Sequence, residues 1–182
     1  MKQGEKRYAM VIDTTLCVGC KDCLMACQTE NNVPLPFFRE WLVFLTKGEF
    51  PNLNRVIRSE RCHHCDRAPC VGVCPTGASH FDEGGIVLVD PKKCTGCKAC
   101  IAACPYNARF VHPEGYVDKC SFCIHRTNVG LKPACVDVCP THCLHFGDIN
   151  DPSSEVSGLI KSRRWENLIP EAGTKPQLYF LY

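Results

Sequence analysis

The sequence predicts an α+β fold in which two small cysteine-rich units, one inserted in the other, are built from short hairpins and helical turns, with an insertion and a C-terminal tail added. Three observations predict it. Seventeen of the 182 residues are cysteine, and sixteen of them fall into four groups with C-x2-C spacing at their heads. Short apolar or alternating runs bounded by Gly, Pro and Asp turns separate the groups, which is a hairpin signal. The segments flanking the groups repeat one another, so the chain contains an internal duplication.

Taken in order, residues Tyr8–Asp13 read as a strand that leads into the first group, Cys17, Cys20, Cys23 and Cys27, with Gln28 where the other groups carry proline. Residues 28–56 hold Pro34, Pro36, Pro51 and a Lys47-Gly48-Glu49 turn but no ligand-like side chain. They are expected to form a hairpin or packed loop offering a docking surface, with Trp41–Leu45 as a core-strand candidate. After the strand-like Arg55–Arg58 comes the second group, Cys62, Cys65, Cys70 and Cys74, followed by Pro75. Its middle gap is longer, so one loop there is larger. Residues 76–81, the turn 82–85 and the alternating Ile86–Asp90 predict a hairpin. The third group, Cys94, Cys97, Cys100 and Cys104 with Pro105, follows directly. A second hairpin is expected from Arg109–His112 and Tyr116–Asp118 about Pro113–Gly115. The fourth group is Cys120 and Cys123, a loop, then Cys135 and Cys139 with Pro140. Leu144–Asp148 reads as a closing strand, Ser157–Arg164 as a short helix, and Leu178–Tyr182 as an extended end.

The repeats also place the odd cysteine. Val11–Asp13 stands before Cys17 as Leu88–Asp90 stands before Cys94, and Cys74–Phe81 aligns with Cys139–Phe146. In that register Cys143 falls where Ala78 and Ala108 stand, so it is expected to be a buried free thiol behaving as a small hydrophobe.

The third group matches, position for position, the C-x2-C-x2-C-x3-C-P run that binds a [4Fe–4S] cluster in bacterial-type ferredoxins, where the fourth cysteine ligates the other cluster of a pair. The fourth thiol lies about one helical turn beyond the third. The second and third groups are adjacent, so they are expected to pair. Cys62, Cys65, Cys70 and Cys104 would hold one cluster, and Cys94, Cys97, Cys100 and Cys74 another. By exclusion the outer groups pair, with Cys17, Cys20, Cys23 and Cys139 on a third cluster and Cys120, Cys123, Cys135 and Cys27 on a fourth. This divides the chain into an outer unit (1–30 and 112–149), an insertion (31–56), an inner unit (57–111) and a docking tail (150–182). Zinc is the rival for the fourth group alone. Three further groups with a third cysteine, and three Cys-Pro endings, favour iron–sulfur for the whole. His63, His64 and His125 lie in or beside the groups, but each cluster already has four thiols, so donation to sulfur or packing is expected rather than ligation.

The net charge of +2 points to no polyanionic partner, and no apolar run reaches the roughly 18 residues of a membrane helix. No h-region or twin-arginine precedes Tyr8. Nor does any nucleophile–base arrangement, phosphate-binding glycine loop or paired-carboxylate pattern stand out. With complete thiol sets and no open iron, the expected chemistry is electron transfer without catalysis.

Four groups in this order, the Cys62-His-His-Cys65 core and the ending Phe146–Pro152 closely resemble the four-cluster iron–sulfur (B) subunits of the dimethyl sulfoxide reductase superfamily. The Tyr8–Asp13 start, the compact 105–119 link and the tail segment Pro170–Pro176 followed by Leu178–Phe180 look most like the polysulfide reductase B subunit. The resemblance implies four [4Fe–4S] clusters carrying electrons between a catalytic subunit with a molybdenum or tungsten bis-pterin cofactor and an integral membrane quinone-reactive subunit. It also implies polysulfide- or thiosulfate-type anaerobic respiration and attachment to the membrane through partners, on the outer face by export with the catalytic subunit. Alternatives are a nitrite, tetrathionate, arsenate or hydrogenase partner, or a free polyferredoxin. The cytoplasmic face is the alternative side.

Overall fold

The computed structural model describes residues 6–182. In chain order the elements are β1 (Tyr8–Asp13), α1 (Asp22–Glu30), β2 (Glu40–Lys47), β3 (Asn54–Arg61), α2 (Pro69–Gly72), β4 (Ser79–Phe81), β5 (Val87–Val89), α3 (Ala99–Ala102), β6 (Phe110–Val111), β7 (Val117–Asp118), α4 (Ile124–Thr127), α5 (Ala134–Asp137), β8 (Leu144–Asp148), α6 (Glu155–Ser162), β9 (Trp165–Glu166) and β10 (Leu178–Leu181). The hairpins expected after the second and third groups are β4–β5 and β6–β7.

One four-stranded sheet, in the order β8-β1-β10-β9, ties the two ends of the chain together. β1 is a continuous apolar run, the pattern of a strand buried on both faces. Met10 and Ile12 on one face join Leu178 and Phe180 in the core that also contains the cysteines. Ala9 and Val11 on the other face join Tyr179, Leu181 and Val156 of the amphipathic α6. β1 pairs antiparallel with β8 and parallel with β10.

The tail therefore does more than the sequence suggests. β10 is buried along its whole length. The stretch before it is also pinned, because the amides of Asp66 and Arg67 donate to the carbonyls of Lys175 and Thr174, and that of Gln177 donates to the carbonyl of His63. The last strand of the tail thus belongs to the core that holds cysteines of all four groups.

The insertion forms the hairpin β2–β3, paired from Glu40 opposite Arg61 to Lys47 opposite Asn54. Its base is buried, while Phe50 and Leu53 near its turn are exposed. Trp41–Leu45 is accordingly not a core strand. Beyond that base its side chains are half-buried or exposed, with Trp41 packed on the edge of the core and Leu42 lining a cysteine-rich cavity.

Candidate metal centres

Each cysteine group wraps the same way. The third cysteine occupies the second position of a short helix (Cys23 in α1, Cys70 in α2, Cys100 in α3, Cys135 in α5). The fourth follows one turn later. The residue before the second cysteine is left-handed in every group: Gly19 (φ +72°), His64 (+43°), Gly96 (+68°) and Phe122 (+52°). Glycine takes this conformation at little cost. At Gly96 a Cβ would also come within 2.3 Å of the Gly115 carbonyl. Where the position is not glycine, the two side chains stack on each other, with the His64 and Phe122 rings 3.7 Å apart. That contact offsets strain in two loops at once.

Three cavities result, each lined by three cysteines of one group and the fourth of another, with Cys143 as a fifth cysteine in the first. Cavity A is lined by Cys17, Cys20, Cys23 and Cys139. Cavity B takes Cys27, Cys120, Cys123 and Cys135, and cavity C takes Cys62, Cys65, Cys70 and Cys104. The three are alike in size. The remaining set D, Cys74, Cys94, Cys97 and Cys100, lies nearer the surface, with Cys97 exposed. In cavity A Cys20 is likewise exposed, whereas all four cysteines of cavity B are buried.

Among the described residues, no three His, Cys, Asp or Glu side chains converge closely enough to hold a single metal ion. Zinc needs thiolates gathered about one point at roughly 2.3 Å. Here the thiols ring a space, which suits a polynuclear cluster with one thiolate per iron.

The surroundings of these thiols consist of donors and cations. Asn31 Nδ2 points at Cys27 Sγ (3.7 Å) and Cys123 Sγ (3.6 Å) in cavity B. Backbone amides donate to sulfur from Phe122 to Cys120, from Ser79 to Cys74 and from Val117 to Cys94. Arg61 donates to Cys135 Sγ at 3.0 Å, and Arg109 to Cys70 Sγ at 2.8 Å. Burial pushes the free thiols of Cys65 and Cys120 up to about 12 and that of Cys23 up to about 11. A bound metal cluster would displace those protons and supply the positive charge that makes buried thiolates tenable.

The odd cysteine and the three histidines of the groups can now be placed. Cys143 is buried beside cavity A, with its sulfur 3.5 Å from Cys139 Sγ. Its closeness to Cys17 favours the Cys17 thiolate and keeps the Cys143 thiol protonated. Against burial, hydrogen bonds from Cys143 and Thr141 also keep Cys139 low. The seventeenth cysteine is thus a hydrogen-bond donor as well as a packed small side chain. His63 and His64 line cavity C: His63 stacks on Tyr106 at 3.7 Å with neither ring nitrogen hydrogen-bonded within the protein, and His64 Nδ1 accepts from the Val87 amide while its Nε2 has no partner there. Burial, then the nearby Arg58 and Arg61, brings His63 down to about 3, so it stays neutral. His125 is half exposed and pairs with Glu30 at 2.7 Å.

Arg61, Glu40, Arg109 and Lys119 carry no sequence signal that marks them as parts of these sites. Charged residues on short strands read as solvated. Only their positions close to cysteine groups hinted otherwise.

Cysteine-ringed cavities in a small α+β scaffold define an iron–sulfur protein. Two family models, each described as a 4Fe-4S dicluster domain, match residues 53–149 and 16–78. Among similar proteins, Protein NrfC of Escherichia coli is 48% identical over 178 residues, covering 95% of this chain and 79% of the relative. The polysulfide reductase B subunit of Wolinella succinogenes is 42% identical over 180 residues, 97% of this chain and 94% of the relative. The arsenate respiratory reductase iron-sulfur subunit ArrB of a Shewanella species is 37% identical over 224 residues, 96% of each. The chain belongs to the 4Fe-4S dicluster family, among the iron–sulfur (B) subunits of dimethyl sulfoxide reductase superfamily complexes.

Proposed function

We propose that the chain carries four [4Fe–4S] clusters and serves as the non-catalytic electron conduit of a membrane-bound molybdopterin oxidoreductase. The observation that carries this reading is the exchange of fourth cysteines between groups at cavities A, B and C. The proposed ligands are Cys17, Cys20, Cys23 and Cys139 at A; Cys27, Cys120, Cys123 and Cys135 at B; Cys62, Cys65, Cys70 and Cys104 at C; and Cys74, Cys94, Cys97 and Cys100 at D. On these sets the outer unit is 1–30 with 112–149, the inner unit is 57–111, the insertion is 31–56, and the tail is 150–182.

When bound, such clusters supply one-electron transfer without making or breaking substrate bonds. The protein's part is to space them, exclude water from B and C, and aim amide, thiol and guanidinium donors at their sulfur ligands. Burial and shared neighbours order the sets A–B–C–D. Arg61 touches B and approaches A through Ser59, and Arg109 touches C and approaches D through Ser79. The exposed sets, A and D, are then the entry and exit points.

The proposed partners are a catalytic subunit with a molybdenum or tungsten bis-pterin cofactor and an integral membrane quinone-reactive subunit. No helix of the described residues is long and apolar enough to cross a membrane, so attachment is assigned to the partners, on the outer face. Polysulfide or thiosulfate is the proposed substrate type of the complex. A higher identity to Protein NrfC, 48% against 42% for the polysulfide reductase subunit, favours a second reading in which the same conduit serves another reductase. Anaerobic affinity purification with metal analysis tests the proposal. About sixteen irons with equal acid-labile sulfide, and a co-purifying molybdopterin subunit, are expected. Zinc, or iron for only two clusters, would refute it.

A further inference from the structure

Three buried cations lie at the three junctions between successive cysteine sets. Arg61 is fully buried at the base of the insertion hairpin. It donates from Nη1 to Cys135 Sγ at 3.0 Å in cavity B, and from Nη2 to Ser59 Oγ, which lies 3.8 Å from Cys23 Sγ in cavity A. Arg109 repeats this arrangement at the other end. It donates to Cys70 Sγ at 2.8 Å in cavity C and to Ser79 Oγ at 2.9 Å, and the Ser79 amide donates to Cys74 Sγ of set D at 3.3 Å. Lys119 occupies the middle junction. Its ammonium donates to the carbonyl of Cys120, from the lining of cavity B, at 2.7 Å, and to the carbonyl of Val87, which lines cavity C.

Neither Arg109 nor Lys119 has a carboxylate partner among the described residues, whereas Arg61 has Glu40 at 2.7 Å. An uncompensated buried cation costs several kcal/mol. Arg109 donates to a cysteine sulfur directly and Lys119 reaches cavities B and C through backbone carbonyls, so the anions within reach of both are the thiolates that bound clusters would carry. A purely structural brace needs hydrogen bonds but no net charge, and it would not recur at every junction.

Resting on the four-cluster reading, we propose that Arg61, Lys119 and Arg109 are shared counter-charges, each raising the reduction potentials of the two clusters it stands between, with Glu40 weakening that effect at the A–B junction. A cluster on four thiolates is anionic and becomes more so on reduction, so a fixed cation in a poorly screened interior favours the reduced form.

The test is a redox titration followed by electron paramagnetic resonance on the full chain with its clusters bound. Arg109→Gln is expected to disfavour reduction at C and D at least tenfold, about 59 mV for a one-electron couple, leaving A unmoved. Lys119→Met should act likewise on B and C. Glu40→Gln should shift A and B the opposite way, upward. Should Arg109→Gln not retain iron, Arg109→Lys, which keeps the charge without the fork, should hold all four clusters near wild-type potentials. Unmoved potentials in iron-replete Arg109→Gln, a downward shift in Glu40→Gln, or iron loss in both Arg109 variants would overturn the proposal. Failure of the four-cluster reading would show separately, as an iron deficit in the wild-type chain.

Discussion

Ending the chain at Gln177 removes β10 and Tyr182, a small perturbation by length but a large one by burial. Leu178, Phe180 and Leu181 are fully buried, and Tyr179 nearly so. At about 1.5–3 kcal/mol for each fully buried apolar side chain, their loss comes to about 6–12 kcal/mol. This is an upper estimate, since unfolded chains already bury some of that surface. It is still comparable with the whole net stability of a small domain, about 5–15 kcal/mol. The deletion also strips β1 of its parallel partner, opening the sheet beside cavity C, where Phe180 lies edge-on to His63. The assay is anaerobic purification with iron and sulfide quantitation and a thermal melt. The truncated chain should lose cooperative melting and most of its iron, while removal of Tyr182 alone, which is partly exposed, should not. A truncated chain with full iron and an unchanged melt, deficient only in partner binding, would refute the reasoning and restore the tail as a docking segment.

Other substitutions separate ligands from their supports. Cys74→Ala should cost the cluster of set D and Cys104→Ala that of cavity C, each with about a quarter of the iron, so that each loss falls on the neighbour of the mutated group in paramagnetic resonance spectra. Cys143→Ala should retain all four clusters but lower the potential at cavity A, because sulfur ligands lose a donor there, and Cys143→Ser should recover part of the shift. Asp13 is held below the usual carboxylate range, because hydrogen bonds from Thr15 and the Arg163 guanidinium outweigh the burial that would raise it. Its contribution is thus complete above the unfolded pKa, near 3.9, and fades as pH falls through the lower folded value. Melting temperatures of wild type and Asp13→Asn should accordingly differ at neutral pH and converge on acidification. Chelating the iron should abolish cooperative melting of the wild-type chain, because desolvated thiols alone do not support the core.

The parts of this molecule that were legible in its sequence are those with short-range signatures. Cysteine spacing marked the four groups, β1 and β8 appeared as apolar or alternating runs at their observed bounds, and Asp82–Gly85 announced the β4–β5 hairpin. Long-range placement was not legible. Leu178–Leu181 reads as an extended end, and nothing local says that it lies beside β1 rather than against another subunit. Trp41–Leu45 has the composition of a core strand, yet its side chains are only half-buried or exposed, covering the first cysteine group from outside. Arg61 and Glu40 carry opposite charges on paired strands, a pattern that ordinarily faces water. Their burial depends on cavity B being filled with thiols from distant groups. His64 and Phe122 stand where Gly19 and Gly96 stand in the repeats, and only the fold reveals that they stack on each other.

The arrangement of cavity A has a consequence for biogenesis. Its thiols come from distant parts of the chain, Cys17–Cys23 near the start and Cys139 close to the last strands. A ribosome delivers the first motif early, but the fourth thiol of that site emerges only after both inner groups have appeared. Cavity C is complete by Cys104. On the proposed ligand sets, the thiols of the inner pair are therefore all synthesised before those of the outer pair are complete, and the first motif waits longest for its fourth ligand. Delivery of iron and sulfide to the outer pair then has to follow synthesis of the fourth group, which makes that late segment a checkpoint for the conduit as a whole.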